Sequence, residues 1–240
     1  MKTPSIQARR HAALVTDEIE FLRNVVPLAG ANVVELGCGK AELARKLIER
    51  GLVKSVTALE VDQIQHAHNC AGARLPGLEF QYGGADDIPL PDATYDVAIM
   101  LKSLHHVPMD RLDRAMQEIR RVLKPGGTLY VSEPVYAGPF NEIVRIFHDE
   151  GVVRAAAHDA LKRAAASGYM EDAGEIEFDM PLAFQHFDDF FNKNVRVTHS
   201  ELVLVGDKLT DVRQRFEKHL TREGARFVRP MRVNVLRRPV

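Results

Sequence analysis

The sequence predicts an α/β domain built on a doubly wound, mostly parallel sheet. Three observations lead there. Short apolar runs alternate with amphipathic stretches of helical spacing for about a hundred residues, the rhythm of strand–helix–strand units. One run, "YDVAIML" at 95–101, is nearly all apolar, as a strand covered on both faces must be. The first run ends in a glycine-rich turn, "ELGCGKAEL" from Glu35 to Leu43, that leads straight into a helical pattern.

Taken in order, residues 5–26 show helical spacing through Leu14, Ile19, Phe21, Leu22 and Val25 until Pro27 stops it. "ANVVEL" (31–36) is the first buried strand, and 40–51 is a helix closed by Gly51. "SVTALEV" (55–61) is the second strand, followed by a helix over 62–75. "LEFQY" (78–82) is the third, with the loop "GGADDIPLPDAT" after it. After "YDVAIML", residues 109–123 form an amphipathic helix that ends at "KPGG", and "TLYVSEP" (128–134) is the fifth strand. Residues 137–172 then read as helical without a strand, an insertion at the carboxyl edge of the sheet, where open α/β folds bind ligands. Two final strands, 194–205 and 225–236, enclose a helix over 207–224. The expectation is one domain over 1–240, with an N-terminal helical cap (1–30), seven strands and a helical lid (137–172).

Composition narrows the function. With 45% hydrophobic residues, 27% charged residues and a formal net charge of -1, the chain has no overall pull toward nucleic acid or an anionic membrane. Arginines cluster between Arg222 and Arg238, which a solvated last strand would explain. Cys38 and Cys70 are the two cysteines, too few for a disulfide framework or a zinc site. No apolar run approaches the roughly 20 residues of a membrane span, and the first residues lack the apolar core of a secretory signal. These features fit a reducing, cytoplasmic setting.

The glycine turn can be read three ways: as an ordinary strand–helix turn, a cofactor loop or a reactive-cysteine site. Gly37 and Gly39 can take backbone angles closed to other residues and let a ligand approach the main chain at a helix N-terminus. The dinucleotide fingerprint fails, because Glu42 stands where its third glycine belongs. Two further features favour a cofactor. Glu60 ends the second strand about twenty residues on, where an acid can hold two ribose hydroxyls. The loop "GGADDIPLPD" after the third strand could grip an adenine edge.

With "ELGCG", "ADDIPLPDATYDVAIM", "SLHHV" and "RVLKPGG" in this order, the sequence resembles the class I S-adenosylmethionine-dependent methyltransferases, and within them the small-molecule group, over roughly Asn32 to Pro134. The resemblance implies a Rossmann-like fold, S-adenosylmethionine as cofactor and methyl transfer to a small acceptor. It places Glu35 near the methionine amino group and wraps Gly37, Cys38 and Gly39 around the methionyl part. It assigns Glu60 to the ribose and Val61 to the adenine face. Ala85 and Asp86 fall at the adenine edge, and Leu101, Lys102 and Ser103 line the methionine end. "KPGG" is a structural turn. Two departures stand out. Ala41 replaces a frequent third glycine, and Gly84 stands where the adenine-binding acid usually falls, so Asp86 or the main chain of Ala85 must take that contact.

The sulfonium methyl is already electrophilic, so transfer depends mainly on positioning, with a base needed only if the acceptor must lose a proton. His105 and His106 follow the fourth strand and are candidates for that base or for a structural role. Cys38 could carry a reactive thiol at a helix N-terminus or simply fit against the cofactor. His66 and His68, two apart on a helix, make a poor metal pair, and no metal site is expected. Glu133, His148, His158 and Tyr169 could reach an acceptor pocket from the lid side. The expected partner is a small-molecule acceptor. A tRNA or protein acceptor, or a binding protein without transfer activity, are the alternatives.

Overall fold

In the computed structural model, residues 13–195 and 204–240 are described. The strands are β1 (Ala13–Leu14), β2 (Asn32–Leu36), β3 (Ser55–Glu60), β4 (Leu78–Tyr82), β5 (Tyr95–Leu101), β6 (Leu123–Pro134), β7 (Glu171–Phe184), β8 (Leu220–Thr221) and β9 (Gly224–Arg237). The helices are α1 (Glu18–Val25), α2 (Glu42–Glu49), α3 (Gln63–Ala71), α4 (Leu112–Val122), α5 (Gly138–Val144), α6 (Gly151–Ala166), α7 (Phe187–Asn194) and α8 (Gly206–Glu217). The sheet order is β1-β7-β9-β6-β5-β2-β3-β4, with β8 pairing only β9. Strands β4, β3, β2, β5 and β6 run parallel, and β9 lies antiparallel between β6 and β7. Seven long strands thus form the doubly wound sheet, with two-residue strands at β1 and β8.

Neighbouring residues of the central strands face opposite layers, which is why those strands are apolar throughout. Val34, Ala98, Leu129 and Val131 pack under α4 and α6. Val33, Val97, Ile99 and Tyr130 pack under α1 and α2. Each fully buried leucine or isoleucine in these layers contributes about 1.5–3 kcal/mol relative to exposure. Helix starts follow local chemistry: Asp17 accepts from Ile19 N at 2.9 Å to open α1, and Asp62 accepts from Ile64 N at 2.9 Å to open α3.

Three expectations need correction. The first helix begins only at Glu18, after β1 has paired with β7; residues 1–12 of the expected cap lie outside the described residues. The sixth strand is β7, not 194–205, of which 196–203 lie outside the described residues. β7 escapes a periodicity reading because it holds Pro181, Gly174 and several acids. It is flanked on one side by β9 and on the other only by two-residue β1, and such near-edge strands tolerate proline and charge. Third, α8 ends at Glu217, and the following residues turn back as the β8–β9 hairpin, where Thr221 Oγ1 donates to Gly224 O at 2.7 Å.

The stretch 137–172 holds two helices of different character. α6 packs on α4 as part of the sheet's covering layer. α5 instead joins α7, α8 and the facing ends of β7 and β9 in a separate cluster of Phe140, Phe184, Phe187, Phe190, Phe216 and Phe227. Pairing of β6 with β9 stops at Pro134–Met231, while β7 and β9 stay paired down to Phe184–Ala225. This ribbon and its phenylalanine cluster therefore overhang the carboxyl edge of the parallel strands. Among the described residues, no helix is long and apolar enough to cross a membrane.

Candidate active site

The carboxyl ends of β2, β3 and β5 open onto a cleft of about 1520 Å³. That exceeds the roughly 300–1,000 Å³ of a typical single-ligand site, so two molecules can lie in it side by side. Every residue assigned to cofactor binding from the sequence lines this cleft, as do His105 and His106.

The loop after β2 is shaped by close approach. Gly37 has φ +72°, and a Cβ there would sit 2.7 Å from the Ser103 Cβ, so only glycine lets the β2 and β5 loops meet. Ser103 Oγ donates to Leu36 O at 2.8 Å, locking the same junction. Gly37 N and Cys38 N both donate to Leu59 O, and Asn69 Nδ2 on α3 donates to Gly39 O at 2.7 Å. Ala41, the departure from a third glycine, is fully buried with φ 56°, a left-handed conformation that its small side chain tolerates.

Glu60 ties the ends of β2 and β3 together. Its Oε2 accepts from Gly39 N at 2.7 Å, and its Oε1 accepts from Val61 N and Asp62 N, each at 2.9 Å. Glu35 lies under the same loop, accepting from Ala44 N at 3.1 Å at the first turn of α2. Burial, reinforced by nearby Glu60 and only partly offset by the Ala44 bond, raises its carboxyl to about 8. Neither acid has a cationic side-chain partner among the described residues. The pair is a place where a ligand's ammonium and hydroxyl donors would gain most.

Cys38 is not a nucleophile. It is buried, and desolvation with Glu35 and Glu60 close by pushes its thiol up, away from thiolate. Iodoacetamide at pH 8 is therefore expected to add one label to the folded protein, at exposed Cys70, as read by peptide mass. Labelling of Cys38 at a comparable rate would contradict this assignment.

Where the sequence places the adenine, Val61 is 56% exposed and lines the cleft, and Ala85 is a buried part of the same lining. A Cβ at Gly84 would sit 2.7 Å from Asp86 Oδ1. Asp86 therefore folds back, so that its carboxylate fills the space an acid at position 84 would occupy. Its Oδ2 accepts from Arg111 Nη1 at 3.1 Å.

At the end the sequence assigns to the methionine, Lys102 has φ 56° and its Nζ pairs with Glu18 at 3.1 Å, which ties α1 to the β5 loop. Behind it, His105 is 5% exposed, with Nδ1 against Glu133 and Nε2 3.4 Å from Glu150 Oε1. Glu133 Oε1 also accepts from Leu104 N at 2.9 Å. Burial opposes charge on this imidazole, but the hydrogen bonds it donates to Glu133 and Glu150, with their negative charge, outweigh it and raise it to about 9. At neutral pH the ring already holds its proton and has no lone pair to receive another. His105 is thus a clamp between β5, β6 and the start of α6 rather than a general base. His106 is exposed and lines the cleft, its ring tilted against that of His105 with centroids 4.1 Å apart. His105, His106 and Glu150 bring ligand-type atoms within 4.8 Å of one another, yet both nitrogens of His105 face carboxylates.

Of the residues considered for an acceptor pocket, His148 lines the cleft, its Nε2 3.0 Å from Glu150. His158 instead pairs with Glu175 on β7, and Tyr169 lies under Arg120. The C-terminal arginines are not simply solvated. Arg238 donates to the carbonyls of Arg120, Arg121 and Leu123 at the end of α4, and Arg232 pairs with Glu175 and Glu177. Arg229 faces the cleft itself. Asn141, Glu150, Arg154 and Arg229 were not signalled by any sequence pattern, because they come from three segments that only the fold brings together.

A methyltransferase domain model matches residues 34–131, the β2-to-β6 span that holds every cofactor-side residue described above. These residues form a class I, S-adenosylmethionine-dependent methyltransferase domain. A protein of Mycolicibacterium smegmatis, provisionally assigned as an S-adenosylmethionine-dependent methyltransferase, is 33% identical over 52% of this chain and 44% of its own length. The 27-O-demethylrifamycin SV methyltransferase of Amycolatopsis mediterranei is 35% identical over 47% of this chain and 42% of its own. The matched segment thus spans less than half of either relative. The crystal structure of YcgJ from Bacillus subtilis covers 92% of this chain and 97% of its own, with a TM-score of 0.65 at 14% identity, so the likeness of fold extends beyond the methyltransferase span.

Proposed function

We propose that the chain transfers the methyl group of S-adenosylmethionine to a nucleophile on a small organic acceptor. The observation that carries this reading is the pair Glu35 and Glu60, buried at the ends of adjacent strands around the Gly37–Gly39 turn and without cationic partners among the described residues. Glu60 is suited to accept from the ribose hydroxyls, and Glu35 lies where it can meet the ammonium. The main chain of Gly37, Cys38 and Gly39, with Leu101 to Ser103, encloses the methionyl portion, and Val61 and Ala85 flank the adenine. Asp86 takes the adenine edge in place of the acid missing at Gly84. Bound S-adenosylmethionine supplies an electrophilic sulfonium methyl. The protein's part is to hold the acceptor nucleophile in line and keep water out. His106, at the cleft surface beside the methionine end, is the better-placed histidine for a proton should the acceptor need to lose one.

A small acceptor suits the geometry because the phenylalanine-rich overhang narrows access from the β7–β9 side. The net charge of -1 offers nothing to an RNA backbone. The lid of this reading is α5 with that cluster, and α6 is its fixed support. Two free thiols agree with a reducing, cytoplasmic setting.

Incubation with methyl-labelled donor and fractionated small metabolites is expected to label a small product. Label appearing only in tRNA or protein would overturn the acceptor class. Asp86→Ala should weaken S-adenosylhomocysteine binding about tenfold by calorimetry, through loss of a charge-assisted bond. Arg111→Ala, at the exposed end of the same pair, should leave affinity unchanged; equal affinity in both variants would remove Asp86 from the adenine site.

A further inference from the structure

Beyond the cofactor half, the cleft wall is built by α5, the start of α6 and the projecting end of β9. Charges there can be paired off. Glu150 is within 3.4 Å of His105, 3.0 Å of His148 and 2.5 Å of Arg154. Glu133 takes the other side of His105, and Glu18 takes Lys102. Arg229 remains. It sits on β9 opposite Met180, past the end of β6, with its guanidinium 4.9 Å from the Phe140 ring and no carboxylate partner among the described residues. It is partly buried, and burial together with Arg154, only partly offset by the more distant charges of Glu18 and Glu150, pulls its guanidinium down to about 10. On the same cleft wall, Asn141 is more than nine-tenths buried. Its Oδ1 accepts from Arg154 Nη1 at 3.3 Å, while its Nδ2 and the Arg154 Nε have no hydrogen-bond partner. A confined cation beside orphaned donors is costly unless a ligand completes it.

Resting on the methyltransferase reading above, we infer that the acceptor is a small carboxylic acid whose carboxylate is held by Arg229 with Asn141 and Arg154. One cation with no carboxylate in direct contact matches one negative charge, so a carboxylate balances the site where a phosphate dianion would overfill it. Phe140, Val144 and Met180 line the neighbouring wall and suit an apolar body. The carboxylate would anchor the far end of the acceptor and turn its nucleophile toward the cofactor half of the cleft.

The test uses matched pairs of acid and neutral amide: acetate with acetamide, phenylacetate with phenylacetamide, cinnamate with cinnamamide. Phenylphosphonate is added as a dianion. Each is titrated calorimetrically into the full chain, with and without saturating S-adenosylhomocysteine. At least one acid is expected to bind about tenfold or more tighter than its amide, as a charge-assisted contact predicts. Arg229→Gln should abolish that preference and leave S-adenosylhomocysteine affinity as it was. The inference is overturned if no acid outbinds its amide, if the preference survives Arg229→Gln, or if the phosphonate outbinds every carboxylate. Failure of S-adenosylhomocysteine to bind the wild type would instead defeat the methyltransferase reading, and the acid–amide comparison without it would still decide the anion site.

Discussion

Replacing Glu60 with alanine is expected to weaken S-adenosylmethionine binding by about 1.5–3 kcal/mol, through loss of charge-assisted bonds to the ribose hydroxyls. The variant should also lose stability. Three backbone N–H groups, of Gly39, Val61 and Asp62, donate to this one carboxylate, and all three lose their acceptor together. With about 1 kcal/mol for each lost bond, the combined cost is on the order of 3 kcal/mol. Glu60→Gln separates the two effects. It keeps one oxygen to accept from the loop but turns its amide N–H toward at least one of the other backbone donors, so it should melt between Glu60→Ala and the wild type while binding the cofactor poorly. Calorimetry of S-adenosylhomocysteine binding and thermal unfolding read the two quantities independently. Wild-type affinity in a folded Glu60→Ala protein would exclude the ribose contact.

The second large effect concerns the His105 clamp. Four titratable groups surround it: Glu133 from β6, Glu150 ahead of α6, His106 on its own turn, and His148 across Glu150. In the folded protein the imidazole sits at about 9, above the roughly 6.5 of an unfolded histidine. The native state therefore binds this proton more tightly. Its contribution is complete below about pH 6.5 and disappears as pH rises through 9. For a group this buried the contribution is on the order of 3 kcal/mol, or about 6–12 °C in melting temperature for a chain of this length. On the acid side, Glu150 tells the same story. Burial works against its charge, but His105, Arg154 and His148 hold it down to about 2, so stability falls as pH drops from about 4.5 through 2. These are two views of one network and count once. The wild type should thus lose melting temperature between pH 7 and 10 relative to His105→Gln, whose curve should run flatter. Parallel curves would show that the clamp carries no such energy.

The residues expected to hold the cofactor could be picked out in the sequence, and come to line one cleft, because their determinants are local. Gly37 and Gly39 share one strand-to-helix turn in which both have positive φ, and Glu60 ends its own strand. Asp86 folds back over Gly84 from two residues away. The acceptor side was not legible, because Asn141, Glu150, Arg154 and Arg229 each look like ordinary residues in their own segments. They acquire meaning only when β9 crosses beside α5 and α6. His105 shows the same limit: its sequence context suits a base, and only the carboxylates from β6 and the start of α6 fix it as an imidazolium. β7 hid for a related reason. A strand with a nearly open edge need not alternate cleanly, and its proline and acids are tolerated by position.

The central claim, that the cleft at the ends of β2, β3 and β5 is a methyl-donor site, is tested most directly by titrating S-adenosylhomocysteine into the wild-type chain in a calorimeter. The account predicts saturable binding of one molecule per chain, weakened in Glu60→Gln and unchanged in Arg229→Gln. No heat of binding at millimolar ligand, or equal binding by the wild type and Glu60→Gln, would contradict it.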